Sequence, residues 1–112
     1  MQPITDEFML QMRAKTRAYC IVMLKVGPQY TQPGAAQIIW EHGRRNYALR
    51  AQGLLAMLGS VTDNSNIRGL GIFTVSIDEA RTIMDEDPGV KARVFVYDLH
   101  PWRSFPGDSL PA

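Results

Sequence analysis

Residues 37–59, QIIWEHGRRNYALRAQGLLAMLG, join a helical pattern to an apolar run across a single glycine, and they decide what the flanking segments must be. Ile38, Ile39, His42, Asn46 and Leu49 recur at three- and four-residue spacing and so share one face of a helix. His42 is the titratable ring at the edge of that stripe, either a satisfied core histidine or a working group. Gly53 is a natural stop, because glycine adopts the left-handed conformation that closes a helix. A helix is expected over 34–52 and a strand, LLAMLGSV, over 54–61. Gly43, inside the helix, costs about 1 kcal/mol relative to alanine. It serves either helix packing or a close backbone or ligand approach.

Upstream, residues 18–26, AYCIVMLKV, are rich in β-branched and aromatic residues and stop at Gly27-Pro28, the pattern of a strand. Tyr19, Ile21 and Met23 point one way, and Cys20, Val22 and Leu24 the other. Both faces are apolar, so this strand is expected to be central and covered on both sides. The loop that follows places Thr31 or Gln32 before Pro33 in the first helical turn, where proline is tolerated. Before the strand, Thr5 to Lys15 form a short amphipathic pattern with Phe8, Met9 and Met12 on its apolar edge. A helix this short is marginal alone and must dock, on its own domain or on a partner subunit.

Downstream, residues 69–75, GLGIFTV, form a third strand, paired with 54–61 as a hairpin. Ser76-Ile77-Asp78-Glu79 has the capping-box form that opens a helix, and Asp87-Pro88-Gly89 ends it, since proline disfavours helical geometry in the residue before it. ARVFVYD, 92–98, is the fourth strand, and HPWRSFPGDSLPA holds too much proline and glycine for regular structure. The order strand, helix, strand, strand, helix, strand is the split βαβ arrangement. The expected fold is α+β and ferredoxin-like, a four-stranded antiparallel sheet with two helices on one face. Residues 1–16 form an N-terminal helical extension, 17–102 the domain and 103–112 a tail. Two helices cover one sheet face, so a homodimer or higher homo-oligomer is expected to cover the other.

The chain has 112 residues, enough for one core. Its 46% apolar and 21% charged residues are ordinary soluble usage. No run approaches a membrane span, and MQPITDEF lacks the basic and apolar regions of a secretory signal, so a cytoplasmic location is expected. A net charge of +1 gives no electrostatic footprint for nucleic acid. Cys20 is the single cysteine, with no disulfide or CxxC partner, and fits a buried inert thiol.

With these elements placed, the chain resembles the YCII-related domain family, small dimeric proteins of ferredoxin-like fold. The residues that carry the resemblance are His42, Gly53 and Gly59 bracketing the second strand, Glu79-Ala80, Asp87-Pro88, and Pro101-Trp102. The chain departs from the family pattern at Ile39-Trp40-Glu41, where Arg-Pro is frequent, and at Gly59-Ser60, where Gly-Pro is. The resemblance implies a histidine–aspartate pair in a pocket, falling on His42 and Asp87. It also implies activities like those of a dehydrochlorinase of aromatic degradation, and similar folds serve muconolactone isomerases.

The residues support such chemistry on their own account. Histidine titrates near neutrality, and a carboxylate against one ring nitrogen fixes the tautomer and raises the basicity of the other. Asp85 and Glu86 are competing carboxylates expected to face solvent, and Asp87 is preferred because Pro88 fixes its position. Trp40, Arg45, Asn46 and Tyr47 share the helix with His42 and are the candidate substrate contacts, although both aromatics also fit core packing. No GxGxxG, P-loop or HExxH motif is present, and His100 is the only other histidine, so neither cofactor nor metal is expected. The expectation is a cofactor-free lyase or isomerase acting on a small organic molecule. The rival is a non-catalytic dimeric ligand-binding or accessory module.

Overall fold

A computed structural model describes residues 2–112. Helix α1 (Asp6–Lys15) precedes strand β1 (Arg17–Val26), helix α2 (Ala35–Ala51), the hairpin β2 (Leu55–Ser60) and β3 (Ile67–Phe73), helices α3 (Ile77–Asp85) and α4 (Pro88–Lys91), and strand β4 (Phe95–Ser104). The strands form one antiparallel sheet in the order β2-β3-β1-β4. This is the expected ferredoxin-like α+β fold, with β1 central.

Local chemistry sets the element ends. Thr5 caps α1 by accepting from the Phe8 N–H, and Ser76 caps α3 by accepting from the Glu79 N–H. Gly53, at φ 77°, closes α2: its N–H donates to the Arg50 carbonyl and that of Leu54 to the Leu49 carbonyl, a Schellman closure. At its start α2 departs from expectation, because Gly34 is the N-cap and Pro33 lies outside the first turn. The space beside Gly43 is open, so tight helix packing is not what requires a glycine there. Gly27 shows the opposite, since a Cβ would lie 2.4 Å from the Arg93 carbonyl oxygen.

The core lies between the helices and one sheet face. Cys20, Val22 and Leu24 of β1, Phe73 of β3 and Phe95 of β4 meet Leu49 of α2 and Ala80 and Met84 of α3. Burial pushes the Cys20 thiol above its ordinary pKa, which disfavours a reactive thiolate. On the other sheet face, Tyr19, Ile21 and Met23 are only half-buried.

Two expectations about the C-terminal third need correction. Residues 92–94 are not strand, because the short helix α4 runs to Lys91 and a turn with Arg93 at φ 62° follows it there. And the strand does not end at Asp98: β4 continues to Ser104, pairing Pro101 with Cys20, Trp102 with Tyr19 and Ser104 with Arg17. β4 is an edge strand, where a proline lacking its N–H does least harm to the ladder. The domain boundary expected after Trp102 therefore falls inside a strand.

Candidate functional site

The middle of α2 turns His42 toward α4 and β4. Its ring is 7% exposed and lies against Phe95, with centroids 4.8 Å apart and planes inclined at 50°. Asp87, 1% exposed, meets it from the junction of α3 and α4. His42 Nδ1 is 2.8 Å from Asp87 Oδ1 and 2.9 Å from Oδ2. Oδ2 also accepts from the backbone N–H groups of Gly89, at 2.9 Å, and Val90, at 3.2 Å. Asp87 is thus at once the N-cap of α4 and the partner of His42. Pro88 follows at the first helical position, where its missing N–H leaves no bond unmade.

The carboxylate decides the tautomer. A deprotonated Asp87 only accepts, so Nδ1 carries the proton and Nε2 of the neutral ring keeps its lone pair. The Asn46 amide nitrogen lies 3.2 Å from Nε2, one turn along α2, and donates to it. Arg45 Nη1 approaches Asp87 Oδ1 to 3.7 Å, an ion-pair distance too long for a hydrogen bond. Gly89 completes the arrangement, because a Cβ there would lie 2.6 Å from Phe95 Cδ2 and 3.0 Å from Asp87 Oδ2.

Burial pushes the Asp87 carboxyl up, but the hydrogen bond from His42, attraction to that ring, and the N–H groups of Val90 and Gly89 outweigh it. The net result is a pKa below the usual carboxylate value. A carboxyl whose folded pKa is depressed contributes stability that is present above its unfolded pKa, about 3.9 for aspartate, and lost as pH falls through the folded value. Wild type is therefore expected to lose urea resistance below about pH 4 more steeply than Asp87→Asn. Asp63 and Asp98 are also lowered, by Ser65 and Lys25, so the difference between the two proteins is the informative quantity. Parallel curves for the two would refute this account of the carboxylate.

The other expected residues are placed as follows. His42, Asp87, Arg45 and Asn46 come together. Trp40 and Tyr47 stand on the outer side of α2, 67% and 66% exposed, and neither packs in the core. Asp85 accepts from the Tyr97 hydroxyl at 2.6 Å; burial and that carboxylate push the Tyr97 pKa up to about 12. Glu86 pairs with Lys91 at 3.0 Å. His100 is exposed on the sheet face away from the helices. Phe95 and Gly89 were not among the sequence candidates. The available signal was Asp87-Pro88-Gly89, which reads equally as an N-cap with proline in the first turn.

Two shallow hollows lie on the surface, and neither is lined by His42 or Asp87. One, of about 180 Å³, is bordered by Gln29, Pro33, Ile38 and Val94, with Ile38 one helical turn from His42. The other, of about 270 Å³, lies between Tyr19, Ser76, Ile77 and Pro101. Among the described residues no group of three or more His, Cys, Asp or Glu side chains is arranged to hold a metal ion, and no helix is long and apolar enough to cross a membrane.

Compared with known protein families, the chain matches none, and no curated protein matches it. Among solved structures it is similar to the methylated RPA0582 protein, at 14% identity over 95% of this chain and 96% of that one, with a TM-score of 0.43. It is also similar to the RPA0582 protein of unknown function from Rhodopseudomonas palustris, at 16% identity over 96% and 97% of the two chains, with a TM-score of 0.36.

Proposed function

We propose that the protein is a cofactor-independent acid–base enzyme of the lyase or isomerase type, dehydrochlorination included, acting on a small organic molecule such as a ring-derived one. The observation that carries this reading is the seating of His42 Nδ1 on both oxygens of a buried Asp87, which leaves Nε2 as the basic atom. Nε2 would take a proton from an acidic carbon and return it to the product or leaving group. Asp87 would hold the ring's orientation and stabilise the imidazolium formed in between. The Asn46 amide, which occupies Nε2 at rest, would yield that place to substrate, and Arg45 would offer positive charge beside the pair. The resemblance to the YCII-related domain family supports the same pair of residues. The working form in this reading is a cytoplasmic homodimer.

One observation favours the alternative of a binding or accessory module, namely that the two hollows described above lie off the pair. Thermal unfolding against a panel of lactones, halogenated phenols and small cyclic enones separates the two. A ligand at 100 times its dissociation constant stabilises by about 2.7 kcal/mol, which a melting curve resolves. The enzyme reading expects a hit that wild type converts. A hit that is never converted, and whose shift survives unchanged in His42→Gln, would establish the module instead.

A further inference from the structure

Helix α1 lies apart from the body of the chain. None of its ten residues is buried, and the chain measures 56 Å along its longest axis against 29 and 24 Å across. Phe8 and Met12 follow one another at four-residue spacing along one edge, with Met9 beside them and Ile4 just before the Thr5 cap. A free ten-residue helix is marginal in water, yet its base is fastened. Arg103 donates from Nε to Thr16 Oγ1 at 3.1 Å and from Nη2 to the Thr16 carbonyl at 2.9 Å. Arg17 Nη1 donates to that same carbonyl at 2.9 Å. An arm with an apolar edge is therefore held out from the end of the sheet by two guanidinium groups.

The sheet face opposite the helices is the second unpartnered surface. Ile21, Met23, Leu70, Ile72, Val96 and Trp102 share it, as the registers Ile21↔Ile72, Met23↔Leu70 and Tyr19↔Trp102 require. Its charged pair, Lys25 and Asp98, is already joined at 2.7 Å, so covering the face strands neither charge.

We propose that α1 is exchanged between two copies of this chain, the Phe8–Met12 edge of each and the Ile4 before it packing on the open sheet face of the other. This rests on the homodimer of the reading above and says what builds it. Area singles out a second copy as the occupant. Ile4, Phe8, Met9, Leu70, Val96 and Trp102 are each 38–61% exposed. At about 200 Å² per large apolar side chain they offer roughly 560 Å² per chain, so that two chains together pass the ~1,000 Å² that a specific interface must clear. Either surface alone falls well short of that. A two-fold pairing uses both at once and closes on itself.

The test uses the full chain. In a sample mixing copies carrying ¹³C-labelled methionine methyls with unlabelled copies, intermolecular NOEs are expected from the Met9 and Met12 methyls to Trp102 and Leu70 protons. Phe8→Glu is expected to weaken the dimer at least roughly tenfold by sedimentation equilibrium, about 1.4 kcal/mol, with an unchanged far-ultraviolet spectrum, because Phe8 makes no core contact. A wild-type monomer at micromolar concentration would overturn both the exchange and the homodimer. A dimer without those NOEs and indifferent to Phe8→Glu would overturn the exchange alone. Failure to find any acid–base turnover bears on neither result.

Discussion

Asp87→Ala is expected to lower the free energy of unfolding by about 2–5 kcal/mol, through a lost helix cap and a buried donor left without its acceptor. The truncation leaves His42 Nδ1–H buried without its acceptor and frees the N–H groups of Gly89 and Val90 from their cap. Loss of an N-cap alone costs about 0.5–2 kcal/mol, and an unsatisfied buried donor adds about 1–3 kcal/mol. Against a total stability of about 5–15 kcal/mol, such a loss displaces the urea midpoint far outside experimental error. Asp87→Asn should cost less, because its amide oxygen still accepts, though from fewer donors. An alanine variant within about 1 kcal/mol of wild type would mean that the pair does not stabilise the junction of α2 with α4.

The second large effect is on chemistry. His42→Gln is expected to reduce turnover of a converted panel substrate by roughly 10²–10⁴-fold, the range for loss of a general base. Glutamine keeps a donor for Asp87 at similar size but offers no basic nitrogen. It also gives up the ring contact with Phe95, worth about 0.5–1.5 kcal/mol, so a small fall in melting temperature is expected as well. Asp87→Asn should reduce turnover by the same amount or less, through the lost tautomer preference, measured where the variant is fully folded. If His42 were only a core residue, the order would reverse, with a large fall in melting temperature and no change in ligand affinity.

Most of the fold was legible because its signals are local. The Ser76 capping box, the Gly53 stop and the β-branched and aromatic run of β1 each depend on residues within a few positions of one another. The errors in the C-terminal third lie where a distant partner decides. Residues 100–104 contain a proline and turn formers, and they extend only because β1 offers free edge groups from Arg17 to Ile21. Asp87-Pro88 reads as a stop from the side of α3 and as a start from the side of α4, and it is both. At the site, His42 and Asp87 are 45 positions apart, and their pairing was expected only through the family resemblance, since no periodicity links them. Trp40 and Tyr47 share a helix with His42, but offsets of two and five residues carry them around to the solvent side.

Gly89 carries a consequence beyond this chain. With Phe95 beneath the histidine ring and the carboxylate folded back over α4, the space where a side chain would begin at position 89 is already filled. The pair is therefore a three-residue requirement: a histidine, a carboxylate, and two positions later a residue that is nothing but backbone. Any descendant that trades this glycine for a larger residue must also shrink the aromatic ring or lose the histidine's seat.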